Sequence, residues 1–562
     1  MRLKATFYKI IFITLLSSVI FLSPVFAIDT PPPGSEPGAE ATRFQEDMKR
    51  QKRDLEKKDR KKIEEKLVEE EKIDKSGPSF ILRDIKVTGA TAFTQDELKN
   101  IYKPSLDKKI YYSELKGIAN AIKNEYKKRG YLTATSFVPQ QDIKDGVVEI
   151  QVVEGKVGEI KIEGNKWFKT DLIKKYFHLA KGEIFDVYKL QKDLTRLNQN
   201  SDLKVTTVVE KGKVPETTDL IAKAEEKVPY HIGIGSDNKG SRLLGRYRTL
   251  VHARSTNATG VNDYLLLSSV FNARSMGFSL SYDRPLDTYG TKLGIDATYY
   301  KMKLGKEFKA LDIEGETRIL TPHLMWEIFL SEDTEIEGDV GFEIKDIEKT
   351  TQTAVTTEEQ LTLLFAGFTV EKQTSFFGGS YLTFAPKMTM GQKNLFGATG
   401  KDHPNASRDN TGGFFVKYSQ RLSTFQRMPF KSYLAIDSSV QVSSDTLPSS
   451  EQMQIGGQDS VRGYPEGDYL CDTGYYVNTE WLFPKLLKHS EPFLLFDFGW
   501  GRIEDTMTGE LEDKTLMGVG AGAKFTLFNK AYLKLQWAVK GGDEPTSGVG
   551  PSTFYLSFQT EI

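Results

Sequence analysis

The chain has 562 residues, which is enough for more than one domain. Its 76 Lys and Arg residues balance 77 Asp and Glu residues, which excludes the basic composition of a nucleic-acid-binding protein. After residue 27 no apolar run is as long as a spanning helix, which excludes a helical membrane protein. One cysteine and six scattered histidines predict no disulfide framework, no metal site and no cofactor.

The first 27 residues have the three parts of a secretory signal peptide. Basic residues such as Arg2 and Lys4 precede an apolar stretch over residues 10–22, and small side chains stand before a cleavage position after Ala27. The apolar stretch is too short for a membrane anchor, which is the alternative interpretation. We therefore expect residues 1–27 to be removed and the mature protein to lie outside the cytoplasm, where ATP is not available.

Two polar segments follow the signal peptide. Residues 28–40 contain three consecutive prolines and two glycines, and they are interpreted as a flexible linker. Residues 41–75 are dense in charge, with opposite charges three or four positions apart, which predicts a solvated helix without a core of its own. Such a helix is either a spacer or a helix that rests inside a water-filled lumen.

An internal repeat begins after this helix. The pattern Ile85–Gly89 recurs 75 residues later as Ile160–Gly164, with apolar residues at alternating positions before the glycine. Each copy is followed by two helical segments and two strand segments. We therefore predict two small β-α-α-β-β modules, over residues 80–155 and 157–227.

Residues 228–562 contain strand-length segments of alternating polarity, separated by Gly, Asn, Asp and Pro. One such segment has Leu533, Leu535, Trp537 and Val539 on one face and Lys534, Gln536 and Lys540 on the other. About sixteen such segments fit in this region, which is typical of an even-stranded transmembrane β-barrel. A soluble β-sandwich also alternates, but it needs a second sheet to cover each apolar face.

Several motifs occur in a fixed order along these predicted domains. The first module has Gly130–Leu132, Val138–Asp142 and Val152–Gly155, and the barrel begins with Asp237–Gly240, Gly245–Arg248 and Gly260–Tyr264. Farther on stand Val461-Arg462-Gly463-Tyr464 and Phe496-Asp497-Phe498-Gly499. This ordered set resembles the two-partner secretion (type V) transporters, also called the TpsB or haemolysin-activator family. The resemblance implies two periplasmic POTRA (polypeptide-transport-associated) modules and a 16-stranded antiparallel barrel in the outer membrane.

The resemblance also implies roles for the last two motifs. Val461, Arg462, Gly463 and Tyr464 would form a loop-lock motif on a long loop folded back into the barrel. Phe496, Asp497, Phe498 and Gly499 would form its partner motif on the wall. Arg462 would pair with Asp497, Gly463 would permit a sharp turn, and Tyr464 would pack on the wall with its hydroxyl in water. The alternative is that Arg462 is an ordinary exposed loop residue.

The two modules suggest how a secreted partner is recognised. A small mixed sheet offers a free strand edge, to which an unfolded polypeptide can add itself as an extra strand. In the first module Tyr131, Phe137 and Val138 are the candidate client-binding residues. Packing in the core of the module is the alternative role for these three side chains.

The predicted function is therefore that of a transporter and not of an enzyme. The chain would recognise an unfolded exoprotein, adhesin- or haemolysin-like, in the periplasm and pass it through the barrel without ATP. Its other expected partners are outer-membrane lipid and the barrel-assembly machinery, and the chain departs from the family in ending with Ile562 instead of an aromatic residue. The alternatives are an outer-membrane protein assembly or insertion factor of the same superfamily, and a porin or receptor.

Overall fold

The computed structural model describes residues 31–56, 78–374, 379–401, 403–484, 490–506, 510–528, 530–546 and 550–561. The predicted signal peptide, residues 57–75 of the predicted charged helix and Ile562 lie outside these described residues. Within the described ranges, no helix has both the length and the apolar character needed to cross a bilayer.

The first helix, α1, spans Pro37–Glu56. It begins four residues before the predicted start at residue 41, so the interpretation of residues 28–40 as a linker extends too far. Proline is well tolerated in the first turn of a helix, where its missing N–H has no intrahelical partner. Gly38 lacks a side chain where an added Cβ would come within 2.8 Å of Ser450 Cβ, so the helix start packs tightly.

The first module is a small α/β domain with a three-stranded sheet. Its elements are β1 (Ser79–Leu82), β2 (Asp84–Thr88), α2 (Gln95–Tyr102), β3 (Lys108–Tyr111), α3 (Tyr112–Lys128), β4 (Thr135–Phe137) and β5 (Val147–Val153). Strand β5 lies in the centre, parallel to β2 and antiparallel to β4. The separate β1–β3 pair is an addition that the repeat pattern does not predict.

The second module repeats this plan without the extra strand pair. It comprises β6 (Lys156–Glu163), α4 (Thr170–Lys175), α5 (Val187–Leu197), β7 (Leu203–Lys211) and β8 (Thr217–Glu226). Strand β8 lies between β6 and β7 in the sheet. Buried apolar side chains from the sheet and both helices, including Phe168, Ile173, Leu190 and Leu220, form its core.

The remaining chain forms one closed antiparallel barrel of sixteen strands, which confirms the predicted fold class. The wall strands are β9 (Tyr230–Asp237), β10 (Arg248–Ser255), β11 (Tyr264–Phe271), β12 (Ser275–Pro285), β13 (Lys292–Lys303), β14 (Ile313–Leu330), β15 (Thr334–Thr351), β16 (Ala354–Thr374), β17 (Ser380–Gln392), β18 (Phe415–Met428), β19 (Ser432–Ser443), β22 (Thr473–Leu482), β23 (Ser490–Arg502), β24 (Asp513–Leu527), β25 (Ala531–Gly542) and β26 (Ser552–Glu561). The first strand, β9, pairs with the last, β26, and so closes the cylinder.

The two faces of the wall differ in polarity as the alternating pattern predicts. Trp537 and Phe554 point outward and are about half exposed, at 51% and 52%, whereas their neighbours Gln536 and Tyr555 point inward and are buried. An outward apolar band with a polar interior is the arrangement that lipid requires of a barrel.

A long loop between β19 and β22, residues 444–472, folds back into the lumen. It contains a short hairpin of β20 (Met453–Ile455) and β21 (Tyr469–Cys471). The hairpin side chains Ile455 and Tyr469 pack with Val461, Tyr464 and Leu516 in one buried apolar cluster. The loop is therefore a packed part of the barrel interior.

Candidate functional site

Arg462, at the tip of this loop, is completely buried against the barrel wall. Its guanidinium donates two hydrogen bonds to Asp497, from Nε to Oδ2 and from Nη2 to Oδ1, both at 2.7 Å. The Arg462 backbone N–H also donates to Asp497 Oδ2, at 3.0 Å. The bidentate geometry fixes the direction as well as the position of the loop tip.

The remaining Arg462 donors bind groups on neighbouring strands. Nη1 donates to Glu480 Oε1 at 2.7 Å and to Gln536 Oε1 at 2.8 Å, and Nη2 also donates to Asn478 Oδ1 at 3.1 Å. Every guanidinium N–H thus has a partner, as a buried charge requires.

Glu480 links this arginine to further cations. Lys534 Nζ lies 2.6 Å from Glu480 Oε1, and Lys524 Nζ lies 2.8 Å from Glu480 Oε2. Two carboxylates and three cations therefore form one network across β22–β25. Because Asp497 and Glu480 both compensate the charge of the guanidinium, a buried arginine is tolerated at the loop tip.

Two glycines let the loop backbone approach the wall. Gly463 has φ +99°, a left-handed conformation that other residues rarely adopt, and an added Cβ would lie 2.9 Å from Lys540 N. A Cβ on Gly518 of β24 would lie 2.1 Å from the carbonyl oxygen of Arg462. A side chain at either position would push the loop away from the wall.

The other two loop-lock residues are also buried. Val461 packs with Ile455 and Tyr476. The Tyr464 hydroxyl lies 2.6 and 3.0 Å from the carbonyl oxygens of Gly541 and Asp543, and its single proton is shared between them. The expectation that this hydroxyl stays in water is therefore wrong, because the loop sits deep enough for main-chain carbonyls to replace water.

Only part of the partner motif faces the lumen. Asp497 binds Arg462, and a Cβ on Gly499 would lie 2.8 Å from Val461 Cγ2, so both positions serve the loop. Phe496 is 49% exposed and, like Phe498, points to the outside of the barrel, where Phe498 stacks with Tyr475. The two aromatic positions of the motif therefore belong to the lipid-facing surface.

Sequence reasoning missed several members of this site. They are Asn478, Glu480, Gly518, Gln536 and Tyr555, which all point inward from strands around the loop tip. The sequence does indicate their direction, since each occupies a lumen-facing position of a strand with alternating polarity. No spacing rule connects them to Arg462, however, because they lie on four different strands.

Helix α1 lies inside the barrel and packs on strands β12–β15. Its apolar residues Ala41, Phe44 and Met48 are buried in one cluster. The cluster includes Tyr300 of the wall and Leu244 of the loop between β9 and β10. The rings of Phe44 and Tyr300 are 5.8 Å apart. A narrow apolar stripe on an otherwise charged helix thus attaches it to one side of the lumen.

Ion pairs hold the charged faces of α1. Arg248 Nη1 lies 3.0 Å from Asp47 Oδ2, and Lys52 Nζ lies 2.6 Å from Asp283 Oδ2. Arg50 Nη1 lies 2.7 Å from Asp459 Oδ1 of the long loop.

Hydrogen bonds from side chains to main-chain carbonyl oxygens also join α1 to the long loop. Gln454 donates to the carbonyl oxygen of Ala39 at 2.6 Å, and Thr42 donates to that of Ser450 at 3.0 Å. The helix and the loop are therefore in direct contact inside the lumen.

The three candidate client-binding residues do not form one surface. Tyr131 and Val138 pack against the core of the first module, where the ring of Tyr131 is 5.9 Å from that of Tyr126. Phe137 is 43% exposed on β4, one of the two edge strands of its sheet. Of the three, Phe137 alone is open to a partner at a strand edge.

Family models match the chain in the order of its domains. The model described as haemolysin secretion/activation protein ShlB/FhaC/HecB matches residues 216–525. A POTRA domain of the ShlB type matches residues 80–155, and the POTRA model described as surface antigen variable number repeat matches residues 156–226.

Individual proteins are similar over most of the chain. The haem/hemopexin transporter protein HuxB of Haemophilus influenzae (strain 86-028NP) is 26% identical over 77% of this chain and 78% of its own length. The outer membrane transporter CdiB of Escherichia coli is 25% identical over 72% of this chain and 69% of its own length.

The fold matches solved structures of similar size. The structure of CdiB from Escherichia coli superposes with a TM-score of 0.74 at 20% identity, covering 96% of this chain and all of that one. BamA from Haemophilus ducreyi lacking POTRA domains 1–3 shares the fold with a TM-score of 0.51 at 15% identity, covering 86% of this chain and all of that one. Because one family model spans more than half of the chain, the chain belongs to the haemolysin secretion/activation protein family ShlB/FhaC/HecB and is an outer-membrane transporter of the two-partner secretion type, with its POTRA domains in the periplasm.

Proposed function

We propose that this transporter exports a large unfolded exoprotein, adhesin- or haemolysin-like, and that α1 and the long loop keep its barrel closed at rest. The observation that carries the proposal is the joint occupation of the lumen by these two segments, which contact each other through Arg50 and Asp459. A wide barrel left empty would leak small solutes. Neither segment is a strand of the wall, so both can leave the lumen without breaking the strand pairing of the barrel.

The POTRA domains would receive the exoprotein before it reaches the barrel. Strand β4 has an unpaired edge, and Phe137 is exposed on it. An unfolded chain can add to such an edge through backbone hydrogen bonds, which any sequence can make. The exposed aromatic ring would then select among partners by apolar contact.

Transport needs no nucleotide in this scheme. The exoprotein enters unfolded, and its folding outside the cell removes the unfolded form from the equilibrium and so prevents return. The role of Arg462 is to hold the long loop in the position in which it contacts both the barrel wall and α1. Loss of the arginine would leave Asp497 and Glu480 partly unpaired, at a cost of about 3–5 kcal/mol.

The first experiment identifies the exoprotein and tests the proposal at once. Proteins in the culture medium are compared by mass spectrometry between cells with the chain and cells in which it is deleted. We expect one large protein to disappear from the medium and to return when the chain is restored. An unchanged medium with a loss of other outer-membrane proteins would instead indicate an assembly factor.

The second experiment tests the loop lock with Arg462→Ala and Arg462→Lys. We expect both variants to insert into the membrane as folded barrels but to export less exoprotein, because lysine cannot make the bidentate contact. Exposed Arg318→Ala, on the outside of the barrel, is the matched control. Export by Arg462→Ala at the wild-type level would refute the lock.

The third experiment removes the first POTRA domain, residues 80–155. We expect the shortened protein to lose binding to the amino-terminal region of the exoprotein in a pull-down, while Phe137→Ala weakens binding without abolishing the fold. Undiminished binding after the deletion would show that recognition lies elsewhere.

A further inference from the structure

The lumen is filled unevenly, because α1 lies against one side of the wall. Inward side chains on that side are buried, and Ser268, Thr298 and Thr317 are 6%, 5% and 1% exposed. On β16–β19 the inward side chains of the periplasmic half are instead partly exposed. We name this inner face the lane, from the periplasmic turns up to Gly367, Lys387, Ser419 and Ser439.

The lining of the lane differs from that of an apolar binding groove. Its inward positions combine small side chains, such as Ala385, Ser419 and Ser439, with larger polar ones, such as Arg421 and Asp437. Charges of both signs are present, and Arg421 pairs with Asp437 across two strands. A surface of this kind lets an extended polypeptide pass without holding it strongly, which a conducting path requires.

The lane opens into a cavity that three parts of the protein share. The cavity has a volume of about 570 Å³. Arg53 of α1, Tyr176 and Gln199 of the second POTRA domain, and Tyr381 and Phe425 of the wall line it. The second POTRA domain and the periplasmic end of the lane therefore border one cavity beside the seated helix.

The outer end of the lane is closed by an apolar cluster. Leu361, Leu363, Phe415 and Leu447 are at most 3% exposed and pack together. We name this cluster the outer seal. Leu447 belongs to the long loop, whereas the other three residues belong to β16 and β18.

A buried ion cluster lies next to the outer seal. Glu451 Oε1 lies 2.5 Å from Lys345 Nζ, and Glu451 Oε2 lies 2.6 Å from Lys417 Nζ. Gln441 donates to the carbonyl oxygen of Glu451 at 3.1 Å. Because Leu447 and Glu451 sit on the loop that Arg462 anchors, displacement of the loop would open the outer end of the lane.

We propose that the lane is the site where the extended exoprotein first enters the lumen, with α1 still seated, and that the outer seal stops it there. The inference rests on the proposed function, since it names the place that the exported chain occupies. Continuity with the POTRA-lined cavity favours a polypeptide over a small solute. In this scheme α1 and the outer seal are two separate barriers, and the exoprotein meets the outer seal first.

Access to the lane is tested with single cysteines and a charged methanethiosulfonate reagent. We expect Ser419→Cys and Ser439→Cys to react from the periplasmic side at least about tenfold faster than from the outside, because reactivity follows exposure. Ser268→Cys, inward but beneath α1, is the matched control and should react slowly from both sides; native Cys471 is buried. Equal reaction from the two sides, or none at either lane position, would overturn the proposal.

Occupation of the lane is tested with the exoprotein identified from the culture medium. Ser439 is replaced by the photo-crosslinking residue benzoylphenylalanine, and α1 is tethered to the long loop by a bismaleimide bridge between Arg50→Cys and Asp459→Cys, whose native side chains are ion-paired and 25% and 30% exposed. We expect the exoprotein to crosslink at position 439 while export stops. The same photo-crosslinker at Ser438, on the lipid face of the strand, should give no crosslink.

The outcomes separate this inference from the proposed function. If the untethered protein exports the exoprotein but position 439 crosslinks only without the tether, α1 must leave first and the lane proposal fails alone. If a bulky maleimide on assembled Ser439→Cys leaves export unchanged, the lane is not the path. If the unmodified protein exports nothing, the proposed function fails. This holds even if the cysteines in the lane react with the reagent as expected.

Discussion

Glu154 is a buried carboxylate at the end of β5, and it organises the turn that follows β2. Its Oε1 accepts hydrogen bonds from the backbone N–H groups of Thr91 and Ala92, at 2.7 and 2.9 Å, and from the Tyr126 hydroxyl at 2.6 Å. Burial raises the pKa of Glu154, but hydrogen bonds from Thr91, Tyr126 and the two backbone groups outweigh it, so the pKa lies below the ordinary value of 4.5.

The lowered pKa of Glu154 predicts an acid-labile turn. A carboxylate with a depressed pKa contributes stability that is fully present above its unfolded-state pKa and is lost as the pH falls through the folded-state pKa. We therefore expect residues 89–93 of the full-length protein to lose hydrogen-exchange protection below about pH 4.5. Glu154→Gln should weaken the turn by about 1–3 kcal/mol at pH 7 and remove its response to acid. A variant with the same acid response as the wild type would show that other groups titrate there.

The loop-lock site shows which residues a sequence can reveal and which it cannot. Arg462 and Asp497 stand in motifs with recognisable neighbours, so both could be named in advance. Glu480 and Gln536 complete the arginine's hydrogen bonds, but they are ordinary inward positions on strands far apart in sequence. Their contact depends on strand register and barrel closure, which alternation alone does not fix.

At the scale of single elements, α1 combines a weak apolar stripe with strong polar contacts. Phe44 and Met48 are 3% and 6% exposed in an apolar cluster, and ion pairs hold the charged faces of the same helix. The Lys52–Asp283 contact joins side chains that are 14% and 9% exposed. Ion pairs of this kind respond to charge changes, which gives a direct test of how α1 is held.

We predict that Asp283→Lys loosens α1, because it places a second cation against Lys52. A loss of about 3 kcal/mol would raise the fraction without a seated helix by about two orders of magnitude. The expected result is a larger and more frequent open conductance in planar bilayers. Asp346→Lys, on the exposed outer side of β15, is the control and should conduct like the wild type. A conductance unchanged by Asp283→Lys would mean that this pair does not hold the helix.

Elements with regular periodicity were predicted better than those shaped by tertiary contacts. The barrel strands follow from alternation because lipid and water impose opposite polarity on their two faces. The start of α1 at Pro37 was missed, because the segment's prolines and glycines are typical of linkers and only packing against the wall and loop makes it helical. The β1–β3 pair was missed because it has no counterpart in the second repeat.

At the scale of the whole molecule, the second POTRA domain is fastened to the periplasmic rim. Arg196 of α5 makes a bidentate contact with Glu327, with both N–O distances at 2.9 Å. His178 Nε2 lies 2.8 Å from Thr288 Oγ1, and the ring of His178 stacks on Tyr289 at 4.2 Å. These contacts fix the mouth of the cavity relative to the barrel.

The same domain also reaches the seam where the barrel closes. Glu561 of β26 extends past β9 to Arg254 of β10, with Arg254 Nη2 2.6 Å from Glu561 Oε1. Gly233 of β9 leaves the space that the ring of His252 occupies, and His252 Nε2 lies 2.9 Å from Glu561 Oε2. Asp202 of the second POTRA domain lies 2.8 Å from His231 Nε2 of β9. The docked domain and the first and last strands therefore share one polar network.

If docking of the second POTRA domain aligns the exoprotein with the cavity, loosening it should reduce export without affecting binding. Glu327→Gln removes the charge that Arg196 needs and should weaken the contact by about 1.5–3 kcal/mol. We expect wider distance distributions between spin labels on α5 and the barrel rim, and slower export with unchanged exoprotein pull-down. Glu332→Gln, exposed in the same β14–β15 turn, is the matched control. Normal export together with a broadened distance distribution would show that the domain need not be fastened, and that the path begins at the barrel mouth itself.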